Sequence, residues 1–393
     1  MRIMPGINQL NKKRILLRCD FDVPVRSSAG AKEGVPVRPA RRSLALPSEA
    51  SGEGRGEGGR AEIIEKFRIQ KQKPVIDFLL KQSAVVMVAH IKVVKSFKDI
   101  ASELEDLLGR KFELINNLGE LGLRARNLKQ GELCLLDNIR NWPGEEKNDE
   151  AFARILANGF DLYINNAFAV CHRKHASVSA ITKFLSSYSG FLVEEETSQL
   201  DKMLNLPKDG KIFIMGGAKT KTKVPVIKNF IDKAQNILVG GVIANDILKA
   251  RGVDIGLSVA DENIAELLEG LDISDKRLVM PVDYNIFENK IFDIGLKTIG
   301  EYVNTIEGAK IIIWNGPVGL YEDDRFSAGT DAIARAIARS GAFKTIGGGD
   351  TIAAVNKLGL LDKFDFVSTG GGAMLEFLAG NKLPGLEALG YYG

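Results

Sequence analysis

The sequence predicts an α/β protein made of two doubly wound domains, each a parallel sheet covered by helices, joined by a helix and with a cleft between them. Short apolar runs alternate with segments of helical periodicity along almost the whole chain, which is typical of parallel strands connected by helices. The chain has 393 residues, and this length exceeds what one hydrophobic core usually serves. Two domains, each with its own core, are therefore expected.

The predicted strands form two groups. The first half of the chain offers strands over 14–21, 84–90, 132–137 and 161–165. The second half offers strands over 211–215, 236–239, 277–282, 310–314, 345–346 and 365–368. Ligands of open parallel sheets bind beyond the carboxyl ends of the strands, so the residues that directly follow these strands are the functional candidates.

A helix over 194–205 is expected to connect the two domains, because it begins with glutamates and ends before Leu206-Pro207. The domain boundaries follow from this helix. They give an N-terminal domain over 1–190, an interdomain helix over 191–206, a C-terminal domain over 207–375 and a tail over 376–393 that returns to the N-terminal domain.

One segment, over about 27–60, breaks the alternation. It is rich in Gly, Ser, Pro and Arg, and its stretch 48–60 has almost no apolar side chains. Such a composition cannot bury enough surface to offset the entropy of ordering, so the segment is predicted to be a mobile surface insertion. The alternative is a weak site for an anionic partner formed by Arg38, Arg41 and Arg42.

The overall composition is that of an ordinary globular protein, with 45% hydrophobic residues, 26% charged residues and a formal net charge of +3. Cys19, Cys134 and Cys171 are widely spaced in apolar contexts, which argues against a disulfide framework and fits a reducing compartment. No apolar run approaches membrane-spanning length, and the first residues lack the apolar core of a signal peptide. We expect a cytoplasmic protein with neither nucleic-acid nor membrane partners.

In the second half of the chain, glycine turns follow the predicted strands. The turns are Gly216-Gly217-Ala218-Lys219, Gly240-Gly241, Gly347-Gly348-Gly349 with Asp350-Thr351, and Gly370-Gly371-Gly372. A glycine turn between a buried strand and a helix lets the backbone approach a ligand, and it points N–H groups and the positive helix end at phosphate oxygens. Several such turns in one domain predict a nucleotide site.

Lys219 and Lys223 lie four residues apart at the predicted start of a helix. At that spacing both ammonium groups are expected on one face, near the same phosphates. Lysines in a first turn oppose the helix dipole, which favours a functional role over that of a solvated helix face.

Asp350 and Thr351 follow three glycines at another presumed helix start. Their carboxylate and hydroxyl groups would suit Mg²⁺ held against nucleotide phosphates. The alternative is a helix N-cap, for which both residue types are common. The nearby turn 314–319 and Glu322, which is suited to ribose hydroxyls, favour the nucleotide interpretation.

The first half places a different chemistry after its strands. Acidic, basic and histidine side chains follow one another there: Asp20-Phe21-Asp22, His90, Arg140, and His172-Arg173-Lys174-His175. Because arginine forks match phosphate and carboxylate oxygens, this set predicts a pocket for a small, multiply charged anion. For each histidine taken alone, the alternative to a role in this pocket is a purely structural one.

A nucleotide site in one lobe and an acid site in the other suggest phosphoryl transfer across a closing cleft. A carboxylate acceptor is already ionised at neutral pH, so no general base is needed. Catalysis then consists of alignment and charge neutralisation.

Seven segments together resemble the phosphoglycerate kinase family over nearly the whole chain: 14–24, 135–140, 165–177, 216–223, 314–322, 347–351 and 368–376. The resemblance implies reversible phosphoryl transfer between 1,3-bisphosphoglycerate and ADP, which gives 3-phosphoglycerate and Mg-ATP in glycolysis. It also implies a monomer that closes about the connecting helix.

The resemblance implies roles residue by residue. For the three-carbon acid the implied set is Asp20, Phe21, Asp22, Arg68, His90, Lys92, Arg140 and Arg173. For the nucleotide the implied set is Gly216, Gly217, Ala218, Lys219, Lys223, Gly240, Gly241, Gly295, Asn315, Gly316, Pro317, Gly319, Glu322, Gly348, Gly349, Asp350 and Thr351. The implied catalytic residues are Arg68, Lys219, Lys223, Gly371 and Gly372, with Asp350 as the magnesium ligand.

The chain departs from the family pattern at three places, one of which is the loop over 26–60, far longer than its family counterpart. Where the family has His-Leu-Gly-Arg-Pro, this chain has His90-Ile91-Lys92-Val93-Val94, and it has Asn165-Asn166-Ala167-Phe168-Ala169 in place of Asn-Asp-Ala-Phe-Gly. Lys92 is a partial replacement for the missing arginine, although a lysine lacks the bidentate fork.

Two alternatives to an active kinase follow from the sequence. The altered segment 90–94 allows a nucleotide-binding protein with weak or lost catalysis. A dehydrogenase is disfavoured, because no Gly-x-Gly-x-x-Gly opens a helix with an acidic residue about twenty positions later.

Overall fold

The computed structural model describes residues 1–26 and 62–393. The described chain divides into two compact units. The first unit comprises Ile3–Asn166 and His175–Phe191, and the second comprises Met1–Arg2, Ala167–Lys174 and Leu192–Gly393. The insertion predicted over 27–60 lies outside the described residues.

A six-stranded parallel sheet forms the centre of the first unit. The strands of this unit are β1 (Arg14–Arg18), β2 (Val25–Arg26), β3 (Glu62–Ile63), β4 (Ala84–Val88), β5 (Glu113–Ile115), β6 (Leu133–Leu136), β7 (Leu162–Asn165) and β8 (Ser186–Ser189). The strand order in the sheet is β5-β6-β4-β1-β7-β8, and β2 and β3 form a separate antiparallel pair.

Helices cover both faces of this sheet. They are α1 (Phe67–Gln70), α2 (Lys73–Leu80), α3 (Ala101–Leu108), α4 (Leu118–Asn127) and α5 (Glu150–Ala157). In β1, Ile15 and Leu17 belong to the apolar core that includes α2 and α3, whereas Leu16 belongs to the core that includes α4 and α5. Strands buried on both faces read as continuous apolar runs, which is why the sequence predicted them.

The second unit also contains a six-stranded parallel sheet. The strands of this unit are β9 (Lys211–Met215), β10 (Asn236–Val239), β11 (Leu278–Val279), β12 (Tyr284–Phe287), β13 (Lys290–Ile294), β14 (Ile311–Asn315), β15 (Phe343–Gly347) and β16 (Phe366–Ser368). The order is β11-β10-β9-β14-β15-β16, and β12 pairs with β13 in a separate antiparallel hairpin.

Alternate residues of β9 enter opposite cores here too. Phe213 and Met215 pack in the core that includes Val224, and Ile212 and Ile214 pack in the core that includes Tyr302. The helices of this unit are α6 (Phe191–Asn205), α7 (Thr220–Phe230), α8 (Gly241–Ala250), α9 (Ile264–Leu268), α10 (Leu296–Glu307), α11 (Ala328–Arg339), α12 (Gly349–Lys357), α13 (Gly372–Leu378) and α14 (Pro384–Ala388).

Both ends of the chain contribute to the second unit through main-chain hydrogen bonds. The Gly385 N–H donates to Cys171 O at 2.9 Å, and the Arg2 N–H donates to Leu389 O at 3.1 Å. Within 1–26 and 62–393, no helix combines the length and the apolar character needed to cross a membrane.

The strand order of each sheet reverses beside its first strand. In the first unit β1 lies between β4 and β7, and in the second unit β9 lies between β10 and β14. Connections that leave a strand in opposite directions open a crevice at the carboxyl ends, where ligands of such sheets bind. The predicted α/β fold with two parallel sheets is confirmed, and its topology places the candidate sites.

Phe213→Ala is expected to lower the free energy of unfolding by about 3–5 kcal/mol, because a buried aromatic ring is replaced by a cavity. Phe213 is fully buried in β9, and its ring lies 4.8 Å from that of Phe230. Denaturant unfolding followed by circular dichroism measures the change. Leu296→Ala is the control, because Leu296 is 83% exposed and its removal should change stability by no more than about 0.5 kcal/mol. Equal effects of the two substitutions would contradict the core assignment.

Candidate functional site

The loops after β9 and β14 meet at the reversal point of the second sheet. The Gly217 N–H donates to Pro317 O at 2.7 Å, and the Gly216 N–H donates to Asn315 O at 3.1 Å. Gly217 and Gly316 have φ values of +80° and +94°, a backbone region that favours glycine. The structure therefore joins two of the predicted glycine loops through their main chains.

A third glycine loop, after β10, packs against the first. The Gly241 N–H donates to Val318 O at 2.9 Å, and the Val242 N–H donates to Gly217 O at 3.1 Å. A Cβ atom at Gly241 would lie 2.6 Å from Gly217 N, and its φ is +60°. Glycine is thus required here by close backbone approach and by backbone conformation together.

Three helices start at this edge of the sheet without side-chain caps. Within the described chain, no side chain accepts a capping hydrogen bond at the N-terminus of α7, α8 or α12. By contrast, α5 is capped by Asp149, whose carboxylate accepts from Phe152 N at 2.8 Å. Uncapped first turns keep N–H donors and the positive helix end available for an anion.

Lys219 and Lys223 occupy different environments at the start of α7. Lys219 is the exposed N-cap residue, whereas Lys223 is 6% exposed and its Nζ donates to Gly216 O. Burial lowers the pKa of Lys223 to about 8, with Asp350 opposing the shift and Lys219 adding to it. In residues 1–26 and 62–393, no carboxylate oxygen lies within 4.0 Å of either ammonium group. A buried ammonium without an anion is costly, and phosphate oxygens would supply the missing charge.

Asp350 lies exposed in the first turn of α12. Gly348, with φ +92°, occupies the N-cap position, so the alternative that Asp350 is the N-cap is wrong. Its side chain makes no hydrogen bond or ion pair to any residue that the structure describes. Thr351 differs: it is buried, and its Oγ1 accepts from Gly316 N at 2.7 Å. The hydroxyl of Thr351 therefore fixes the Gly316 turn.

The residues present fit magnesium bound together with a nucleotide. Mg²⁺ keeps several water ligands and is typically held by one or two carboxylates plus substrate phosphates. Asp350 supplies one such unengaged carboxylate, and the described residues hold no cluster of three or more His, Cys, Asp or Glu side chains that would form an all-protein cage.

Glu322 shares the electrostatic environment of Asp350. Burial raises the pKa of Glu322, and the charge of Asp350 raises it further. Burial also raises the pKa of Tyr321 to about 12, with Asp350 and then Glu322 contributing. These three side chains are therefore brought together at the carboxyl edge of the sheet.

Four further predicted nucleotide residues lie in the second unit, one at the end of a strand and three in loops. Asn315 ends β14, Ala218 is exposed before α7, and the Gly319 N–H donates to Thr330 Oγ1 at 3.4 Å. Gly295 follows β13 rather than a strand of the six-stranded sheet, and its N–H donates to Asp283 O at 2.8 Å. A ligand contact of Gly295 stays a prediction.

The glycines before α13 are positioned by a glutamate that the sequence did not reveal. Glu196 on α6 is fully buried, and it accepts from Ser368 Oγ at 2.7 Å, Thr369 N at 2.6 Å and Thr369 Oγ1 at 2.9 Å. Gly371, with φ +49°, and Gly372 follow directly. Burial raises the pKa of Glu196 to about 7, although these hydrogen bonds favour the charged form.

In the first unit, Arg68 is held among acidic groups at the carboxyl end of β1. Its Nη1 donates to Asp22 O at 3.2 Å and lies 3.8 Å from Asp20 Oδ2. Its Nε lies 3.7 Å from Glu65 Oε2. Glu65 is a second residue that the sequence analysis missed. Its contact with the guanidinium group of Arg68 has no recognisable sequence pattern.

Asp20 presents an unsatisfied carboxylate oxygen. The residue is 1% exposed, and Oδ2 has no hydrogen-bond donor among the described residues. Burial raises the pKa of Asp20, against the opposing charge of Arg68. A buried acceptor without a donor is costly, and a hydroxyl group of a ligand would satisfy it.

His90 is neutral in this environment, and its tautomer follows from its partners. Burial, together with the charges of Arg18 and Arg140, lowers the pKa of His90 to about 3, while Asp22 opposes the shift. Arg18 Nη2 lies 3.2 Å from Nδ1 and can only donate. The ring proton is therefore on Nε2, which lies 3.3 Å from Asp22 Oδ2.

Lys92 contacts the same carboxylate as His90. Its Nζ lies 2.6 Å from Asp22 Oδ2, and its backbone N–H donates to Asp22 Oδ1 at 3.1 Å. Arg140 follows β6, and its Nε lies 3.3 Å from Glu146 Oε1. Asp20, Asp22, Arg68, His90, Lys92 and Arg140 thus lie in one unit, at the carboxyl ends of its strands.

Two predicted acid-site residues differ from these six. Phe21 is fully buried and packs edge-on against Phe97 with ring centroids 6.0 Å apart, so its side chain belongs to the core. Arg173 belongs to the second unit, where its Nε donates to His172 Nε2 at 3.2 Å. A substrate contact of Arg173 stays a prediction.

Comparison with known proteins identifies one family. A family model described as phosphoglycerate kinase matches residues 58–381. The chain is 35% identical to a phosphoglycerate kinase of Moorella thermoacetica over 414 aligned positions, covering 97% of each chain. It is 36% identical to one of Rubrobacter xylanophilus over 411 positions, covering 97% of this chain and 96% of the relative.

Solved structures agree with the sequence comparisons. The phosphoglycerate kinase of Coxiella burnetii superimposes with a TM-score of 0.75 at 30% identity, and that of Pyrococcus horikoshii OT3 with a TM-score of 0.78 at 27% identity. Each alignment covers 97% of both chains.

Glu196→Gln is expected to change how stability depends on pH. Folding raises the pKa of Glu196 from 4.5 to about 7, so between these values the folded protein binds a proton that the unfolded chain lacks. The stability from this group is fully present below pH 4.5 and is lost as the pH rises through about 7, a loss on the order of 3 kcal/mol. Glutamine does not titrate and keeps an acceptor oxygen for Thr369.

The variant should therefore gain unfolding temperature relative to the wild type between pH 5 and pH 8. Glu307→Gln on α10 is the control, because Glu307 is an exposed glutamate of the same unit, and it should show no such gain. A Glu196→Gln difference that stays constant across this pH range would contradict the assignment.

Proposed function

The chain belongs to the phosphoglycerate kinase family, and we propose that its first unit binds the three-carbon acid while its second unit binds the nucleotide. The enzyme is a kinase of glycolysis, which transfers a phosphoryl group between 1,3-bisphosphoglycerate and ADP to give 3-phosphoglycerate and ATP. This assignment rests on the different residues at the carboxyl edges of the two sheets: glycine loops and lysines in the second unit, and acidic, basic and histidine side chains in the first.

The nucleotide assignment rests mainly on Lys223, which is buried without a carboxylate partner in the described chain. Three helix N-termini that lack side-chain caps lie at the same edge of the sheet. Both features leave positive charge and N–H donors for phosphate oxygens. The glycine loops at Gly217, Gly241 and Gly316 let the main chain approach that anion. Glu322 is proposed to accept from ribose hydroxyls.

The acid assignment rests on the cluster at the carboxyl ends of β1, β4 and β6. Arg68, Arg140 and Lys92 supply positive charge for phosphate and carboxylate oxygens, and Asp20 Oδ2 supplies an acceptor for a hydroxyl group. Neutral His90 donates from Nε2 to Asp22 and adds no charge of its own. A three-carbon acid with one hydroxyl and two anionic ends would use the three cations and Asp20 Oδ2.

The reaction needs charge neutralisation and alignment more than proton transfer. The acceptor carboxylate is ionised at neutral pH. During in-line transfer between two oxygens, the phosphoryl group carries negative charge on its equatorial oxygens. Lys219, Lys223 and Arg68 are proposed to stabilise that charge, with the main chain at Gly371 and Gly372 as further donors. Magnesium held by Asp350 would neutralise nucleotide phosphates, with Thr351 fixing the neighbouring turn.

The family relationship favours phosphoryl transfer over a protein that binds nucleotide without catalysis. We propose a cytoplasmic monomer. The cytoplasmic location is supported by the free, buried thiols of Cys19, Cys134 and Cys171. Its partners are proposed to be ATP or ADP and the two phosphoglycerates, and domain closure about a hinge stays a prediction.

Lys223→Ala is expected to lower kcat/KM on the order of 100-fold, because a cation that faces the developing charge is lost. A coupled assay of ATP formation from 1,3-bisphosphoglycerate and ADP measures the change and tests the activity itself. Lys228→Ala is the matched control, because Lys228 is an exposed lysine on the same helix. Equal activities of the two variants would contradict the role of Lys223, and an inactive wild type would contradict the function.

Asp350→Asn is expected to raise the magnesium concentration needed for half-maximal activity roughly tenfold or more, because an amide oxygen carries no charge toward the metal. Asp324→Asn is the control, since Asp324 is exposed and paired with Lys357 at 2.6 Å. Titration of activity with magnesium at fixed ADP gives both values. An unchanged requirement in Asp350→Asn would remove Asp350 from the metal site.

A further inference from the structure

Asp22 is the centre of a group of donors in the first unit. Its Oδ2 lies 2.6 Å from Lys92 Nζ and 3.3 Å from His90 Nε2, and its Oδ1 accepts from Lys92 N at 3.1 Å. Its main-chain oxygen accepts from Arg68 Nη1 at 3.2 Å. Three residues with donor side chains therefore converge on one aspartate, and both of its carboxylate oxygens are engaged.

This arrangement makes Asp22 an unsuitable direct partner for an anion. An ionised carboxylate only accepts hydrogen bonds and repels phosphate or carboxylate oxygens. Burial alone would raise the pKa of Asp22, but hydrogen bonds from His90 and Lys92 hold it well below its ordinary value, so the group is charged at neutral pH. Any benefit that Asp22 brings to an anionic ligand must come through the donors it holds.

Lys92 is the donor best placed to contact an anionic ligand. Its side chain is 55% exposed while that of Asp22 is 15% exposed, so the ammonium lies at the surface of the cluster. An ammonium group has three donors, and the contact with Asp22 uses one. Because the same carboxylate also binds the Lys92 backbone N–H, both the main chain and the side chain of Lys92 are oriented before a ligand arrives, which reduces the rotamer entropy lost on binding.

We propose that Lys92 is a substrate-binding residue that contacts the anionic oxygens of the three-carbon acid, and that Asp22 is a positioning residue that acts through Lys92. This inference rests on the proposed acid site of the first unit. It reverses the simple electrostatic expectation, under which removal of the negative charge of Asp22 would strengthen binding of an anion.

Calorimetric titration with 3-phosphoglycerate tests the proposal through a double-mutant cycle of Asp22→Asn and Lys92→Ala. Lys92→Ala is expected to weaken binding about tenfold or more, and Asp22→Asn to weaken it severalfold. In the Lys92→Ala background, Asp22→Asn should change the dissociation constant less than about twofold, because the residue through which it acts is gone. Lys92→Arg should restore most of the affinity.

Two controls separate positioning from damage to the fold. Each variant should keep the wild-type dissociation constant for ADP, and Lys111→Ala should leave 3-phosphoglycerate binding unchanged, since Lys111 forms a comparable 2.6 Å pair with Glu105 on the surface of the same unit.

Tighter binding in Asp22→Asn, equal losses from Asp22→Asn in both backgrounds, unchanged binding in Lys92→Ala, or no binding by the wild type would each overturn the proposal. Wild-type ATP formation is measured separately, and its absence would overturn the proposed function while the binding cycle still decides the roles of Lys92 and Asp22.

Discussion

The reversal of strand order beside the first strand of each sheet is the constraint on which both sites depend. In the second unit it separates the connections that follow β9 and β14, so their loops meet and Gly217 donates to Pro317 O. In the first unit it leaves the carboxyl end of β1 open between β4 and β7, where Asp20 and Asp22 project. Residues that are far apart in sequence become neighbours because the strand order places the ends of their strands side by side.

Both crevices contain charged groups that lack either an ionic or a hydrogen-bonding partner among the described residues. Lys223 is buried against a carbonyl oxygen, while Asp350 has no partner for its side chain in the described ranges. In the first unit Asp20 keeps a buried oxygen without a donor, again among the described residues. The two buried groups cost stability when left unpaired, whereas Asp350 is exposed to solvent. The partners we propose for Lys223, Asp20 and Asp350 are a phosphate, a hydroxyl group and magnesium.

The sequence predicted the buried strands well because their signal is local. The predicted strands over 211–215 and 236–239 match β9 and β10 residue for residue, and the apolar run alone defined them. The edge strands β5 and β8 were missed, since one has three residues and the other is Ser186–Ser189, whose polar sequence indicates no strand.

The same limit applies to the site. Glycine turns and strand-end charges were visible in the sequence, whereas Glu196 acts on Ser368 and Arg18 acts on His90 through tertiary contacts without a local pattern.

A crystal structure of the enzyme with ADP and magnesium tests the central claim most directly, because it locates the phosphates against the carboxyl edge of the second sheet. The account predicts phosphate oxygens beside Lys219 and Lys223 and at the N-termini of α7 and α12, with magnesium on Asp350. Phosphates bound instead by Arg68 and Arg140, or a nucleotide lying away from the Gly217 and Gly316 loops, would contradict it.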